Sequence, residues 1–289
     1  MKDIKALGTY AENTWCPGCG NFGILSALKG AIKELQEDGV PIERVVMVSG
    51  IGCHAKIVDY VDVNSFYSLH GRVIPPLTGI KLANQDLIAI GHAGDGDAYG
   101  EGLEHLIFAA KRNLDVTFIV HNNRVYGLTT GQFTPTSPLG FKGRSTPGGS
   151  PEEPINPLEL LLASGATFVA RGYSGKVQHL KGLILAGIRH RGFAFIDVLQ
   201  PCFTFFNTYE FYNKLVEVIE DANNENYRPI EEAYRLVRAW SYDLSETRIP
   251  IGIFYTSKRP TFEERLQTKK DRDSLDRESA IGAILESMV

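Results

Sequence analysis

The chain has 289 residues, 43% of them hydrophobic and 22% charged, with a formal net charge of −4. That length and balance describe a globular protein with ample core, in one large domain or two smaller ones. Slight acidity and scattered basic residues give no footprint for nucleic acid, and no run of about 18 apolar residues is present to span a membrane. The opening Met1-Lys2-Asp3-Ile4-Lys5 lacks an apolar h-region, so the cytoplasm is the expected compartment. There the four cysteines are expected as ligands or buried thiols rather than disulfides.

Along the chain, Trp15-Cys16-Pro17-Gly18-Cys19-Gly20 comes first. Pro17 and Gly18 shape a turn on which two thiolates can face one centre. A helix is expected next, with Phe22, Leu25, Leu28, Ile32 and Leu35 toward a core. The C-x-x-C pair is compatible with a redox dithiol, a zinc half-site or an iron–sulfur half-site; the dithiol is weakened because no strand precedes it. Residues 45–49 form a β-like run ending in Ser49-Gly50-Ile51-Gly52-Cys53-His54, and Cys202 follows a similar run at 193–199. Cysteines just past strands belong at the ligand-bearing edge of an α/β sheet. One pair joined by two distant singles departs from the paired spacing of structural zinc sites. It is compatible with a cubane cluster, and equally with two buried structural cysteines beside an unrelated turn.

Ser68-Leu69-His70-Gly71-Arg72 follows. A histidine and an arginine around a glycine suit an anionic ligand, although a plain surface turn reads the same way. Residues 87–92 are a short apolar run with the look of a buried strand, after which Gly94-Asp95-Gly96-Asp97 makes a tight turn. From Ala98 the spacing turns helical, with Leu103, Leu106, Ile107 and Ala110 on one face. A second β-branched run at 116–120 then delivers His121-Asn122-Asn123. In an open α/β sheet Asp95 and Asn123 would lie close together beyond neighbouring strand ends. Hard oxygen ligands so placed suit Mg²⁺, and a helix N-terminus near Ala98 suits a diphosphate.

Residues 133–154 are rich in Pro, Gly, Ser and Thr and read as a long surface excursion. A helix from Pro157, a strand at 167–170, a helix at 176–190 and a strand at 193–199 are expected beyond it. Residues 209–223 carry helical spacing, and 261–289 are charge-dense, expected to pack on a partner subunit or to be partly disordered.

The ordered set CPGCG, SGIGC-x-x-K, HGR and GDGD…NN-x-x-YGLTTGQ, spanning 15–202, resembles the β subunit of 2-oxoacid:ferredoxin oxidoreductases, of 2-oxoglutarate or broad-range type. The resemblance implies an α/β fold, a mainly parallel sheet with helices on both faces (the thiamine diphosphate-binding fold), plus a smaller C-terminal region. The division expected is 1–205 for the thiamine diphosphate- and iron–sulfur-binding domain and 206–289 for an extension packing on the partner. By the same resemblance Cys16, Cys19, Cys53 and Cys202 hold a [4Fe–4S] cluster. Asp95, the Asn123 side chain and the Val125 carbonyl bind Mg²⁺. Thiamine diphosphate is lined by Ile51, Gly52, Cys53, His54, His70, Gly71, Arg72, Val73, Gly96, Asp97, Gly127 and Leu128. Lys56, His70, Arg72, Leu128 and Thr130 are the positions expected nearest the reaction. Some members carry lysine where this chain has Thr130, a difference that bears on how a substrate carboxylate is held.

The activity so implied is coenzyme A-dependent oxidative decarboxylation of a 2-oxoacid to acyl-CoA and CO₂, with 2-oxoglutarate favoured. Two electrons would pass singly through the cluster to ferredoxin. Enzymes using this cofactor generally need a glutamate at its aminopyrimidine, and none here has a recognisable context for that role. In the family it comes from the other subunit, α or α with γ, so this chain is expected to be half of an active site. A non-redox decarboxylase subunit would explain GDGD…NN and waste the cysteines. An iron–sulfur subunit that only passes electrons would waste Asp95 and Asn123.

Overall fold

The computed structural model describes residues 7–222, 228–245, 247–266 and 277–287. Helix α1 (Asn21–Glu37) follows the CPGC turn and buries Ile24, Ala27, Leu28, Ala31, Ile32 and Leu35. That stripe recurs at three- and four-residue steps and begins at Ile24, so Phe22, expected in the core, is 39% exposed in the first turn. Five strands follow with helices between them: β1 (Val45–Ser49), β2 (Asn64–Tyr67), α2 (Ile74–Ala83), β3 (Ile88–Gly94), α3 (Leu103–Arg112), β4 (Thr117–Asn122), α4 (Pro157–Ala163) and β5 (Phe168–Tyr173). The remainder is α5 (Val177–Arg189), β6 (Ala194–Leu199), α6 (Tyr209–Leu215), β7 (Val216–Val218), α7 (Ile230–Val237), β8 (Ile249–Thr256), α8 (Phe262–Arg265) and α9 (Arg277–Ser287).

All eight strands form one sheet in the order β2-β1-β3-β4-β6-β5-β8-β7. The pairs from β2 through β5 are parallel, β8 runs antiparallel to β5, and β7 is parallel to β8. One face carries a core of Val48, Leu77, Leu106, Phe118, Leu158, Phe195 and Trp240; the other carries Ile24, Leu28, Met47, Ile90, Ile119, Ile184 and Ile196. The expected α/β architecture with helices on both faces is therefore the observed one. Every residue of β4 and β6 is buried, the near-continuous apolar run that a parallel strand covered on both faces requires.

Two expected elements differ. The helical spacing of 209–223 holds only to Leu215, after which 216–218 pair with β8 because the sheet edge offers hydrogen bonds that an isolated half-turn cannot match. The helix expected from Ala98 begins as a wide π-helical turn over 96–101 and becomes α only at Leu103; such turns recur at functional sites. Residues beyond 205 add β7 and β8 to the main sheet, while 267–276 and 288–289 of the expected tail lie outside the described residues. Among the described residues no helix is long and apolar enough to cross a membrane.

Helix α1 is set by a close approach at Gly23, where a Cβ would overlap the Ser174 carbonyl oxygen; at Gly30 it would meet only the Lys181 side chain, at 3.2 Å. Gly23→Ala should lower stability by about 1–3 kcal/mol, whereas Gly30→Ala should be neutral or stabilising by up to about 1 kcal/mol. Urea midpoints of the two variants test this, and equal midpoints would contradict it.

Candidate active site

The strand registers align the carboxyl ends of four adjacent strands: Ser49 with His92, Gly94 with His121, and Asn122 with Leu199. The chain leaves those ends through Cys53, Asp95, Asn123 and Cys202, in the spatial order of the strands β1, β3, β4 and β6. Sequence-distant ligand candidates thus meet along one edge, where open α/β sheets bind ligands.

The Asp95 carboxylate is almost fully buried. Its Oδ2 accepts hydrogen bonds from Thr134 Oγ1 (2.5 Å) and Thr136 Oγ1 (2.9 Å). Burial pushes its carboxyl up to about 6, against the lowering effect of those two hydroxyls. The Asn123 Oδ1 accepts from Val125 N at 3.1 Å, a turn helped by Arg124 at a φ of 61°. Arg124 itself is buried, donating to the Thr136 carbonyl at 2.8 Å and lying over the rings of Phe206 and Trp240.

Beside it, Asp97 is bracketed. His54 Nε2 lies 3.3 Å from Oδ2, His70 Nδ1 lies 3.1 Å from Oδ1, and Gly71 N–H donates to Oδ1 at 2.5 Å. Burial alone would raise Asp97, but the hydrogen bonds from His54 and His70 outweigh it and hold the carboxyl at about 2. His70 in turn is raised by its bond to Asp97, over the opposing effect of burial, and also faces Glu101 at 3.1 Å. Gly50 is obligatory here because a Cβ would collide with the Asp97 carboxylate.

Ile51, Gly52, Cys53, His54, His70, Asp95, Gly96, Asp97, Asn123, Val125, Gly127 and Leu128 line one cleft, together with Tyr126 and Thr129, which the sequence did not single out. Gly71 and Val73 sit on the far side of Asp97, with Val73 in the core. Arg72 Nη1 donates to the Gly71 and Glu101 carbonyls, at 3.2 and 3.0 Å, and so braces the π-helical turn. A larger cavity, about 650 Å³, opens at the opposite end of the sheet between Phe168, Ile253 and Arg259. Its guanidinium groups are already engaged by Asp38, Glu264 and the Gly165 carbonyl, which leaves the smaller cleft as the candidate site.

The cysteines gather at the cleft's end. The CPGC turn is closed by Cys19 N to Cys16 O (3.0 Å) and tied to the segment after β6 by Gly20 N to Pro201 O (3.1 Å). Burial pushes the Cys19 thiol up to about 12; a backbone hydrogen bond at Asn21 opposes this, and Cys202, Cys53 and Cys16 all reinforce it. Burial, Cys202 and Cys16 likewise raise Cys53, while Lys56 lowers it. The four thiols therefore share one electrostatic neighbourhood, and none is in a disulfide. Among the described residues no three metal-ligating side chains converge on a single ion. The position of a Cβ on Gly127 would lie 3.6 Å from Cys53 Sγ, 3.8 Å from Cys202 Sγ and 3.6 Å from Asn123 Nδ2. Two of the thiols and the amide that follows β4 adjoin beside this one glycine.

Two family models match in tandem: the C-terminal TPP-binding domain of thiamine pyrophosphate enzymes over 50–198, and the C-terminal region of the pyruvate ferredoxin oxidoreductase β chain over 201–271. The chain is 43% identical to 2-oxoacid:ferredoxin oxidoreductase 1 subunit β of Aeropyrum pernix, over 98% of this chain and 90% of that one. To the corresponding β subunit of a Sulfolobus species it is 47% identical, over 91% and 88%. The solved 2-oxoglutarate:ferredoxin oxidoreductase of Magnetococcus marinus, with 2-oxoglutarate, coenzyme A and succinyl-CoA bound, superposes with a TM-score of 0.87 at 33% identity, covering 97% of this chain and 95% of that one. This chain belongs to the β subunits of the 2-oxoacid:ferredoxin oxidoreductases. It is an oxidoreductase subunit with a thiamine diphosphate-binding domain, and it works with a partner subunit.

Several residues that support the site in this β subunit have no motif to mark them. Thr134 and Thr136 lie in the stretch expected as a surface excursion, yet both are buried under Asp95; the hydroxyl-rich Thr134-Pro135-Thr136-Ser137 run is the one signal that could have found them. Thr136 Oγ1 also lies 2.9 Å from Asn122 Oδ1, and Asn122 Nδ2 donates to Asp197, which accepts from Tyr99 and Tyr242 as well. On the other side, His121 Nδ1 lies 2.7 Å from Asn21 Oδ1 and must carry the proton, so its Nε2 accepts from His92 Nδ1 at 3.0 Å.

Burial, aided by His54, holds His92 down at about 3 against its ordinary 6.5. The unfolded chain therefore takes up a proton below pH 6.5 that the folded chain refuses. His92 costs stability as pH falls through that window, by up to about 1.4 kcal/mol per pH unit. His92→Asn should destabilise the cofactor-free chain less at about pH 5.5 than at about pH 7.5, the penalty shrinking by about 1 kcal/mol in urea unfolding. A penalty independent of pH would contradict a neutral, buried His92.

Proposed function

We propose that this β subunit supplies the thiamine diphosphate, Mg²⁺ and [4Fe–4S] half of an active site that converts a 2-oxoacid, with 2-oxoglutarate favoured, and coenzyme A into acyl-CoA and CO₂ while reducing ferredoxin. The observation that carries the reading is the adjacency at Gly127, where Asn123, Cys53 and Cys202 all lie within 4 Å of the position a Cβ would take. A two-electron decarboxylation coupled to a one-electron carrier needs the two centres that close.

The residues fit each group. Asp95 is a buried carboxylate answered by two hydroxyls, a donor that a hard cation would satisfy, with Asn123 Oδ1 and the Val125 carbonyl as further oxygen ligands. Gly96 and Asp97 open the helical turn whose N–H groups favour a diphosphate. Four free, mutually neighbouring thiols suit a soft multi-atom cluster, and would stay reduced in the cytoplasm. When bound, thiamine diphosphate would act as electron sink for decarboxylation and the cluster as the one-electron relay.

The chain's own residues hold and orient. Asp97, fixed by His54, His70 and Gly71, keeps the loops after β1, β2 and β3 together. His70, drawn toward its charged form by Asp97 and Glu101, offers a proton donor at the cleft wall. Lys56 Nζ donates to Thr14 Oγ1 at 2.5 Å and is a cation near Cys53, where it would offset the negative charge of a reduced cluster. Leu128, 51% exposed at the cleft mouth, would be covered by substrate or by the partner subunit.

Asp95→Asn separates fold from function. Because burial pushes the carboxyl up to about 6, the ionised group opposes folding of the cofactor-free chain above that pH. The amide should therefore raise its stability by about 1 kcal/mol or more near neutrality, while Mg²⁺-dependent binding of thiamine diphosphate, read by calorimetry, is lost. Binding retained in the variant would remove Asp95 from the metal site. Cys202→Ser, purified anaerobically in the complex, should lose most of its iron and its ferredoxin reduction. A full iron complement in that variant would count against the cluster.

A further inference from the structure

The segment between β6 and Cys202 brings one side chain to the thiols that no motif marks. Gln200 is 1% exposed, and its Nε2 donates to Cys19 Sγ at 3.7 Å and to the Pro201 carbonyl at 2.8 Å. Both hydrogens of the amide nitrogen are therefore committed. The reverse orientation would set Oε1 against the Pro201 carbonyl oxygen, acceptor against acceptor, so an N–H is what faces the sulfur. Oε1 itself has no hydrogen-bond partner among the described residues. All the hydrogen bonding of this buried amide lies on its donor side.

The sulfur is held where the amide can reach it. Gln200 N donates to the Asn122 carbonyl at 2.9 Å, which fixes the residue at the end of the β4–β6 pair. The Pro201 carbonyl that accepts from the side chain also accepts from Gly20 N at 3.1 Å, one residue after Cys19. A Cβ on Gly20 would lie only 3.0 Å from Gln200 Cγ, so the turn and the stem of the amide are in close contact. On the other side of the turn, the Tyr209 hydroxyl donates to the Gly18 carbonyl at 3.0 Å, and the Phe203 ring would lie 3.4 Å from a Cβ on Gly18. Cys16 is exposed, whereas Cys19 is half-buried and packs against the core under α1. Water can solvate negative charge on the first sulfur. The second depends on protein donors, the Gln200 amide and a backbone hydrogen bond at Asn21.

We propose that Gln200 tunes the reduction potential of the cluster held by the four cysteines, its N–H favouring the reduced state through Cys19 Sγ. The proposal rests on the cluster in the function proposed above and adds the residue that sets its poise. Taking up one electron, with no bond made or broken, increases the negative charge shared by the ligand sulfurs. An N–H donated to one of them strengthens as that charge grows. Gln200 acts through Cys19 and is a positioning residue rather than a catalytic one.

The test uses the anaerobically purified complex with its partner subunit. Electron paramagnetic resonance reads the reduced fraction at a series of fixed ambient potentials, following the signal that Cys202→Ser abolishes. Gln200→Met keeps the length of the side chain and removes the donor. At the potential where the wild-type cluster is half reduced, the ratio of reduced to oxidised cluster should fall about three- to tenfold, tenfold being about 59 mV for one electron. Gln200→Leu should shift it in the same direction. Ser174→Ala removes a hydroxyl that also lies beside Gly20 but has no hydrogen bond among the described residues, and should leave the ratio unchanged. An unchanged or increased ratio in either Gln200 variant that keeps its iron overturns the proposal and leaves the cluster in place. An equal fall in Ser174→Ala overturns it as well, because the ratio would then report loosening of the turn. So does loss of iron from both Gln200 variants, which would make the amide a brace for the cysteines. A wild-type complex without iron overturns both the proposal and the function on which it rests.

Discussion

The constraint on which the rest of the site depends is a carboxylate buried at the end of a central strand. Asp95 leaves β3 directly into the interior and is met by the hydroxyls of Thr134 and Thr136. A buried ionised carboxylate is costly unless a cation answers it, and its raised carboxyl value reports that cost. The surrounding architecture accepts the cost and keeps the group in place. Asn122 links the threonines to Asp197, and Asp197 is held in turn by two buried tyrosines. A buried carboxylate held this rigidly is preorganised to receive a cation, the role proposed for it above.

The two expected cofactor regions are joined as firmly. Helix α1 starts at Asn21, two residues after Cys19, and Asn21 bonds His121 two residues before Asn123. His121 bonds His92, three residues before Asp95. Neutral imidazoles thus link the start of α1 to the strand that carries Asp95, and Cys53 and Cys202 adjoin Asn123 beside Gly127. A half-site of this kind leaves apolar side chains open around it, among them Ile51, Leu69, Leu128 and Phe203, and a family that works with a partner subunit gives those side chains something to meet.

Much of this was legible in the sequence. The strand runs at 45–49 and 193–199, the glycine turn at 94–97 and the paired asparagines place Cys53, Asp95, Asn123 and Cys202 at strand ends because the apolar periods there are unambiguous. Within α1 the apolar period misleads at its start, since Phe22 is apolar yet lies in a turn that nothing covers. The strand at 216–218 is invisible locally because its formation depends on β8, which lies more than thirty residues on and pairs antiparallel to an otherwise parallel sheet. The bracketing of Asp97 by His54 and His70 is hidden for a similar reason: three loops must fold before those groups meet. The excursion at 133–154 misleads most, because proline- and glycine-rich composition suggests exposure, whereas Thr134 and Thr136 at its start are buried and donate to Asp95.

In the function proposed here, one copy of this chain carries both a thiamine diphosphate site and a four-iron cluster. The direct test is iron, acid-labile sulfide and thiamine diphosphate per copy of the chain in the anaerobically purified complex. About four irons and about one thiamine diphosphate are expected. Thiamine diphosphate without iron would leave the clustered thiols unexplained and contradict the redox reading. Iron without thiamine diphosphate would contradict the assignment of Asp95 and Asn123.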